Sequence, residues 1–309
     1  VYMSYEELRT PLDINTPEDL VKPGKIYFMD QYMYINEYQK GIHFVDLSDP
    51  SNPEQKAFIS IPGNVDMPIL NQVLYAHSYL VLVLIDISEH LQHTELKRLE
   101  EVFEYVIPPY DEEYPLDEIN EEKGVITHYE VKEITREIHQ NPYPWPVFWE
   151  YDMLASSVSP YKQSGGSGNT YGVGGSMARF ITYDDYLYAL ESTAKLKSIK
   201  ISDPEKAVVE YEQFLWGNVE TLFIADKHMY VGTSNGMHIL GLEEPMIPQL
   251  LSTYQHVTAC DPVVVEGDRA YVTLRSGNTC GGNQDLLEVI DISNKYEPKR
   301  MSSFSMNEP

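Results

Sequence analysis

The sequence is poor in basic residues and in long apolar runs, and each shortage excludes a class of protein. Lys and Arg number 22 against 48 Asp and Glu, so the formal net charge is −26 at pH 7. A field of that sign repels phosphate backbones and anionic lipid surfaces, which argues against nucleic acid as a partner. The sequence has no apolar run of the roughly 18 residues that a membrane-spanning helix needs, so no transmembrane segment is predicted.

Catalytic signatures are also missing. Neither a G-x-S-x-G elbow nor an H-E-x-x-H metal motif occurs anywhere in the chain. The glycine-rich stretch 165–175 lacks the Lys-Ser/Thr ending of a phosphate-binding loop and is typical of a flexible linker. No catalytic residue is predicted, and the sequence favours a binding scaffold over an enzyme.

What the sequence does contain is one pattern repeated five times: an apolar strand, a turn, a second strand with an aromatic residue, a third strand and a polar turn. The aromatic anchors are Tyr34, Tyr75, Tyr188, Tyr230 and Tyr271, separated by 41, 113, 42 and 41 residues. A period near 42 with four strands per unit is typical of a β-propeller. The sequence therefore predicts an all-β fold, a β-propeller of four-stranded antiparallel blades with five blades visible.

The repeats divide the chain into an N-terminal lead-in, residues 1–23, and a β-propeller domain, residues 24–309. The five blades are predicted at about 25–61, 65–106, 177–215, 219–257 and 261–306. The long gap between two anchors is one repeat interrupted by an insertion at about 108–175, between blades two and three. An insertion of this length inside a compact domain is either functional or partly disordered.

The third strands share a pattern that ends in Asp-x-Ser. It occurs as Phe44-Val45-Asp46-Leu47-Ser48, Leu84-Ile85-Asp86-Ile87-Ser88 and Val289-Ile290-Asp291-Ile292-Ser293. With the following turn 49–53, this pattern resembles the LVIVP-repeat proteins, a largely uncharacterised β-propeller family found mainly in exported bacterial proteins. The resemblance covers about residues 24–107 and 176–306 and brings no catalytic residues with it. It implies an extracytoplasmic protein of the periplasm or cell surface, an outer-membrane lipoprotein with a lipid anchor upstream of residue 1, and six or more blades.

The number of blades has two interpretations. The sequence stops at 307–309, a position where earlier blades pass to their successors through Pro62-Gly63-Asn64 and Trp216-Gly217-Asn218. Either five blades close on themselves, or the chain is a truncated six- or seven-bladed propeller, and the position of the stop favours the second interpretation. An unclosed propeller exposes two sheet faces, which promotes association.

Three carboxylates are predicted near the mouth of the central channel. Asp66, Glu220 and Asp261 each lie at the start of an innermost strand, and such starts ring the channel of a propeller. Convergent carboxylates suit a hard cation, so calcium is the one cofactor that this cluster suggests. The alternative is structural, because residues at strand starts commonly cap backbone N–H groups.

The two cysteines, Cys260 and Cys280, belong to blade five. The first precedes the innermost strand and the second lies in the loop between the second and third strands, so both are predicted on the same face of the blade. A disulfide between them is expected in an exported protein, and two unpaired thiols are the alternative.

Aromatic residues crowd the insertion and are the predicted ligand-binding residues. They are Tyr143, Trp145, Phe148, Trp149 and Tyr151. Exposed, they would anchor a protein partner or stack on sugar rings; the alternative is that they pin the insertion to the propeller. The predicted function is a non-enzymatic, extracytoplasmic binding or scaffold propeller for a protein or carbohydrate. The alternative is a hydrolase or lyase whose carboxylates act at the channel mouth, with or without a cation.

Overall fold

The computed structural model describes residues 1–89, 93–108, 110–111, 113–133, 135, 180–191, 194–255, 263–274 and 285–306. The chain divides into two compact units, Val1–Thr10 with Val106–Asn169, and Pro11–Tyr105 with Thr170–Pro309. In the described part of the chain, helices are confined to Tyr5–Leu8 and to two three-residue 3-10 turns, and no helix is long and apolar enough to cross a membrane.

The smaller unit joins two distant segments of sequence. Strand Tyr2–Met3 pairs antiparallel with Val125–Ile126, which follows the 3-10 helix Glu121–Lys123. Ser4 caps the helix Tyr5–Leu8: its hydroxyl accepts from the backbone N–H of Glu7 at 3.1 Å, and the Glu7 carboxylate accepts from the Ser4 N–H at 2.8 Å. This reciprocal capping box stabilises a helix that is too short to persist alone.

The larger unit contains five antiparallel sheets that follow one another along the chain. The strands of blade one are Pro23–Met29, Tyr32–Glu37, Gly41–Asp46 and Glu54–Ser60, and those of blade two are Ile69–Leu70, Val73–Ser78, Val81–Asp86 and Thr94–Leu99. Those of blade three are Phe180–Tyr183, Tyr186–Leu190, Lys195–Lys200 and Val208–Phe214. Blade four has Val219–Ala225, His228–Thr233, Gly236–Gly241 and Gln249–Gln255, and blade five has Val263–Glu266, Arg269–Leu274, Leu286–Asp291 and Lys299–Ser305. The predicted all-β propeller of four-stranded antiparallel blades is confirmed.

Blade one differs from the prediction in its number of strands. Asp13–Asn15 pairs antiparallel with the outer strand Glu54–Ser60 and gives this sheet a fifth strand. The lead-in therefore contributes to the sheet of blade one and covers the N–H and C=O groups of an edge strand, which would otherwise be open to another chain.

Local turn chemistry is repeated from blade to blade. The hairpin between the first and second strands has two central residues, with φ of 55° at Asp30, 52° at Asp184 and 56° at Gly267. Turns with positive φ match the twist of the flanking strands. The residue after each third strand then donates its N–H to this hairpin turn. The five bonds are Leu47 to Gln31, Ile87 to Gln72, Ile201 to Asp185, Leu242 to Lys227 and Ile292 to Asp268.

The Asp-x-Ser ending of the third strand forms a cap. Asp46 accepts the backbone N–H of Ser48 at 2.8 Å, and Asp291 accepts that of Ser293 at 2.9 Å. The Ser293 hydroxyl and N–H hold the pKa of Asp291 below its usual value, because they stabilise the ionised carboxylate. The repeated aspartate therefore ends the strand with an Asx turn.

The core lies between neighbouring sheets, so each blade has two apolar faces. We call the face that packs on the next blade the trailing face and the one that packs on the preceding blade the leading face. Between blades four and five, Tyr230 and Ile239 of the trailing face pack with Val263 and Val272 of the leading face. The same arrangement joins blades two and three and blades three and four. Tyr34, Tyr75, Tyr188 and Tyr230 lie on trailing faces and are almost completely buried.

Candidate functional site

A shallow pocket opens at one end of blade four. Its volume is about 210 Å³, and its lining comes from the junction that enters the blade, from the hairpin between the second and third strands, and from the third and fourth strands. The lining residues are Trp216, Gly217, Asn235, His238, Thr253 and Gln255. Three segments distant in sequence therefore converge on one concave surface.

Trp216 is the most unusual of these residues because its side chain is 81% exposed. It follows the outer strand of blade three and precedes Gly217, whose φ of 89° lies in the left-handed region that glycine adopts most readily. A Cβ at Gly217 would lie 3.0 Å from Oδ1 of Asn235, so a larger residue would crowd the pocket wall. The glycine thus allows the chain to turn closely beside Asn235.

A hydrogen bond from His238 fixes the backbone of Trp216. Nε2 of the histidine bonds the carbonyl oxygen of Trp216, and its Nδ1 lies 2.9 Å from the hydroxyl of Thr253, the residue directly opposite in the sheet. A carbonyl only accepts hydrogen bonds, so Nε2 carries the proton and a neutral ring accepts from Thr253 through Nδ1. The side chain of His238 is buried, and it connects the junction that precedes blade four with the fourth strand of that blade.

The side chains that line the pocket suit a neutral polar ligand. Asn235 and Gln255 offer amide donors and acceptors, Thr253 offers a hydroxyl, and the indole of Trp216 offers a large apolar surface. None of the six lining residues carries a carboxylate, a lysine or an arginine. The volume is below the roughly 300–1,000 Å³ of pockets for drug-sized ligands, so it suits one ring-sized group.

His238 belongs to a repeated position, the third residue of the third strand. Polar residues fill this position in four blades and are buried: His43, Lys197, His238 and Glu288. Three of them bond a residue that precedes their blade, whereas His43 bonds Glu37 and Gln55 of its own blade. Lys197 donates to the carbonyl of Glu101, which follows blade two, and Tyr254 of blade four donates its hydroxyl to Glu288 at 2.8 Å. The position thus links blades three, four and five to the chain before them, and in blade four this link supports the pocket.

The carboxylates predicted at the channel mouth are only partly described. Asp66 is 1% exposed; its carboxylate contacts Lys25 Nζ at 2.5 Å and accepts the N–H of Met67 at 2.9 Å. Glu220 lies on the first strand of blade four and is half-buried, and Asp261 lies outside the described residues. Among the side chains that the structure describes, no group of three His, Cys, Asp or Glu is placed to hold a metal ion. The calcium cluster stays a prediction.

The other predicted site residues lie outside the part of the chain that is described. They are the aromatic set Tyr143, Trp145, Phe148, Trp149 and Tyr151, and the cysteine pair Cys260 and Cys280. Their binding and disulfide roles therefore stay predictions.

Sequence reasoning did not identify the pocket of blade four. It noted Trp216 only as part of a blade junction and assigned no role to His238. A usable signal was present, because Gly41-Ile42-His43 and Gly236-Met237-His238 share one spacing and both begin a third strand. A second signal was Trp216 itself, which takes the position of Pro62 in the equivalent junction Pro62-Gly63-Asn64.

Comparison with protein families identifies the repeat in two segments. The model of the LVIVD repeat matches residues 25–58 and 258–305, which lie in blades one and five. The match supports the expectation of a repeat protein at these two segments. No curated protein matches the chain.

Solved structures share the fold at low sequence identity. A protein from Lactobacillus plantarum superposes with a TM-score of 0.55 at 12% identity, and the match covers 92% of this chain and 71% of the Lactobacillus chain. A functionally unknown protein from Desulfotomaculum acetoxidans gives a TM-score of 0.54 at 10% identity, and the match covers 94% of this chain and 75% of that protein. The computationally designed protein Ika8 gives 0.51 at 8% identity, covering 93% of this chain and 62% of the designed chain. The chain thus spans less than two thirds of that designed protein.

Proposed function

We propose that this protein is a non-enzymatic binding propeller that holds a neutral carbohydrate in the pocket of blade four. The observation that carries the proposal is the almost fully exposed indole of Trp216 beside amide and hydroxyl side chains in a concave site. Such an indole offers an apolar face to the C–H face of a sugar ring, while Asn235, Thr253 and Gln255 can bond its hydroxyl groups.

The negative charge of the protein restricts the class of carbohydrate that it can bind. A net charge of −26 disfavours uronic acids, sulfated glycans and phosphorylated ligands, because the field of the protein repels anions. A neutral sugar experiences no such repulsion. The small volume suits a single ring or the end of a chain, with the rest of the glycan extending into solvent.

Hydrogen bonding supports a binding role over the alternative of a hydrolase or lyase. The buried Asp66 carboxylate is engaged by Lys25 and by the backbone, whereas a general acid needs a titratable group free to exchange a proton with substrate. In the pocket itself, His238 has both ring nitrogens engaged, by Trp216 and Thr253. The ring is therefore a positioning group.

The proposal includes an extracytoplasmic location, in the periplasm or on the cell surface. It is supported by the resemblance to exported repeat proteins. A disulfide between Cys260 and Cys280 would accord with this location, since disulfides persist in oxidising compartments.

A glycan array probed with the purified protein tests the function, with three variants beside the wild type. Trp216→Ala removes the stacking surface, and Phe214→Ala is the matched control, because Phe214 is 78% exposed two residues away and does not line the pocket. A deletion of 140–151 removes the aromatic segment of the insertion. The proposal expects binding to neutral glycans that is lost only with Trp216→Ala. Absence of any glycan signal, or loss only with the deletion, would contradict the assignment of this pocket.

A further inference from the structure

Thr253 meets the pocket of blade four with a hydroxyl whose proton is already used. The residue lies on the fourth strand, is exposed and lines the pocket, and its oxygen is 2.9 Å from Nδ1 of His238. Nε2 of that ring donates to the carbonyl of Trp216, so Nδ1 carries a lone pair and accepts the Thr253 proton. A hydroxyl has one proton and two lone pairs, so only the lone pairs remain for a ligand.

The same polarity recurs in blade one, at the equivalent histidine. Nε2 of His43 lies 3.1 Å from the carboxylate of Glu37, which only accepts when it is ionised, and Nδ1 lies 2.6 Å from Nε2 of Gln55. That amide nitrogen also donates to the carbonyl of Glu18 at 2.8 Å, so it is a donor towards His43 as well. Two blades therefore hold this histidine in one tautomer, with the proton on Nε2.

The two blades differ in what remains for a ligand. In blade one the two hydrogens of the Gln55 amide nitrogen are taken by Glu18 and His43. In blade four the donor is an exposed threonine, so its oxygen keeps its capacity to accept at the pocket surface. The histidine of blade four thus sets a direction of hydrogen bonding at Thr253 that a ligand has to match.

Asn235 presents the reverse polarity to the pocket. Its Oδ1 lies 3.2 Å from the hydroxyl of Thr233, which also donates to the carbonyl of Gly236 at 2.9 Å. Because Oδ1 is turned to Thr233 and to the backbone of Gly217, the amide nitrogen is the group left to donate to a ligand. The polar lining therefore combines a fixed acceptor at Thr253 with a donor at Asn235.

From this polarity we infer that Thr253 makes the pocket specific for a sugar with a free hydroxyl group, because the hydroxyl that meets Thr253 has to donate. The inference rests on the proposed carbohydrate function and adds the direction of one hydrogen bond to it. A methyl ether or a fluorine at that position cannot donate, and it places an acceptor against the lone pairs of Thr253. Sugars that are capped there are rejected, whereas a capped hydroxyl that faces Asn235 still accepts from its amide.

Fluorinated sugars test the direction of this bond. The probes are the methyl glycosides of glucose, galactose and mannose, each with one hydroxyl at a time replaced by fluorine, titrated into the full chain. For a parent sugar that binds, fluorine at one position should weaken binding about tenfold, the size of one lost hydrogen bond. Thr253→Val should bind that parent more weakly and no longer distinguish it from its fluorinated analogue.

Two further variants separate the hydroxyl from the fold of the strand. Thr253→Ser keeps a hydroxyl and should restore the discrimination between the parent and its fluorinated analogue. Thr94→Val makes the same change at an exposed position on the fourth strand of blade two and should behave as wild type. Matching thermal melts of all variants show that a loss of discrimination is not a loss of folding.

The tautomer of His238 has a readout that needs no ligand. Heteronuclear NMR of the imidazole nitrogens, assigned by the signals that His238→Gln removes, should show a proton on Nε2 and none on Nδ1. A proton on Nδ1 would overturn the inference whatever the sugars do. Equal affinity of the wild type for a bound parent and for all its fluorinated analogues would overturn it too, while leaving the carbohydrate function in place. If no neutral sugar binds at all, the proposed function and the inference fail together.

Discussion

The ring of His238 bonds the backbone carbonyl of Trp216, 22 residues earlier in the chain. A buried side chain of blade four therefore holds the position of an exposed side chain at the junction before it. The indole projects from a backbone that is fixed at its carbonyl by histidine and at the next residue by a left-handed glycine. A binding surface that is held in this way loses little conformational entropy when a ligand arrives.

Replacing His238 by alanine is expected to affect both stability and binding. The change leaves the Trp216 carbonyl and the Thr253 hydroxyl without their partner, which costs about 1–3 kcal/mol of unfolding free energy if they stay buried. Glycan affinity falls as well, because the tryptophan backbone is released. Chemical denaturation and calorimetric titration measure the two effects. His128→Ala, at a side chain that is 59% exposed, is the control and is expected to change neither.

The stability contributed by Glu37 is expected to depend on pH. Burial raises the pKa of this carboxyl. Hydrogen bonds from Lys22, Val21 and His43 together lower it by more than burial raises it, so its pKa in the folded protein lies below its pKa in the unfolded chain. The stabilisation is complete above the unfolded value of about 4.3 and disappears as pH falls through the folded pKa. Denaturation of wild type and Glu37→Gln from pH 7 to pH 3 measures it.

The difference in unfolding free energy between wild type and Glu37→Gln should be constant above about pH 5 and shrink in more acidic solution. Amide exchange of residues 18–22 should accelerate over the same interval, because their bonds to Glu37 are lost. A difference that grows on acidification would contradict the assigned direction of the pKa shift.

Two substitutions of Tyr188 separate the contribution of its hydroxyl to the unfolding free energy from that of its ring. Its O–H donates to the carbonyl of Pro245 in the next blade at 2.7 Å, and the ring is completely buried. Tyr188→Phe should cost about 1 kcal/mol of unfolding free energy, and Tyr188→Ala about 3–5 kcal/mol, because the latter leaves a cavity between blades three and four. Equal losses for both variants in urea denaturation would show that the interface does not pack as described.

The predicted disulfide has a direct chemical test. Protein purified from an oxidising compartment should show no free thiol by titration under denaturing conditions and should gain two after reduction, at Cys260 and Cys280. Two free thiols before reduction would contradict both the pairing and the proposed location. Cys260→Ser, which leaves one titratable thiol at Cys280, calibrates the assay.

The repeated core was accessible from the sequence because its physical cause is local and periodic. A tyrosine in the second strand recurs at nearly constant spacing, and Asp46, Asp86 and Asp291 end their strands in the same way. Successive side chains then point to opposite faces of the sheet, and the apolar residues on both faces fix the register in which the strands pair.

The fifth strand and the complete lining of the pocket were not accessible from the sequence, because both need contacts between distant segments; the shared spacing of His43 and His238 indicated one pocket residue only. Asp13–Asn15 is short and polar, and only the open edge at Glu54–Ser60 makes it a strand. The pocket needs a junction, a hairpin and the end of a fourth strand to meet, with Trp216 and Gln255 separated by 39 positions in sequence. The buried position of Asp66 likewise depends on Lys25 from another blade.

Calorimetric titration of the best neutral glycan into the wild type, Trp216→Ala and Phe214→Ala tests the central claim most directly. Binding with one site per chain is predicted for the wild type and for Phe214→Ala. For Trp216→Ala we predict an affinity at least about tenfold weaker, equivalent to 1.4 kcal/mol, with an unchanged melting temperature. Equal affinity of all three proteins would show that the indole beside Gly217 is not the binding surface.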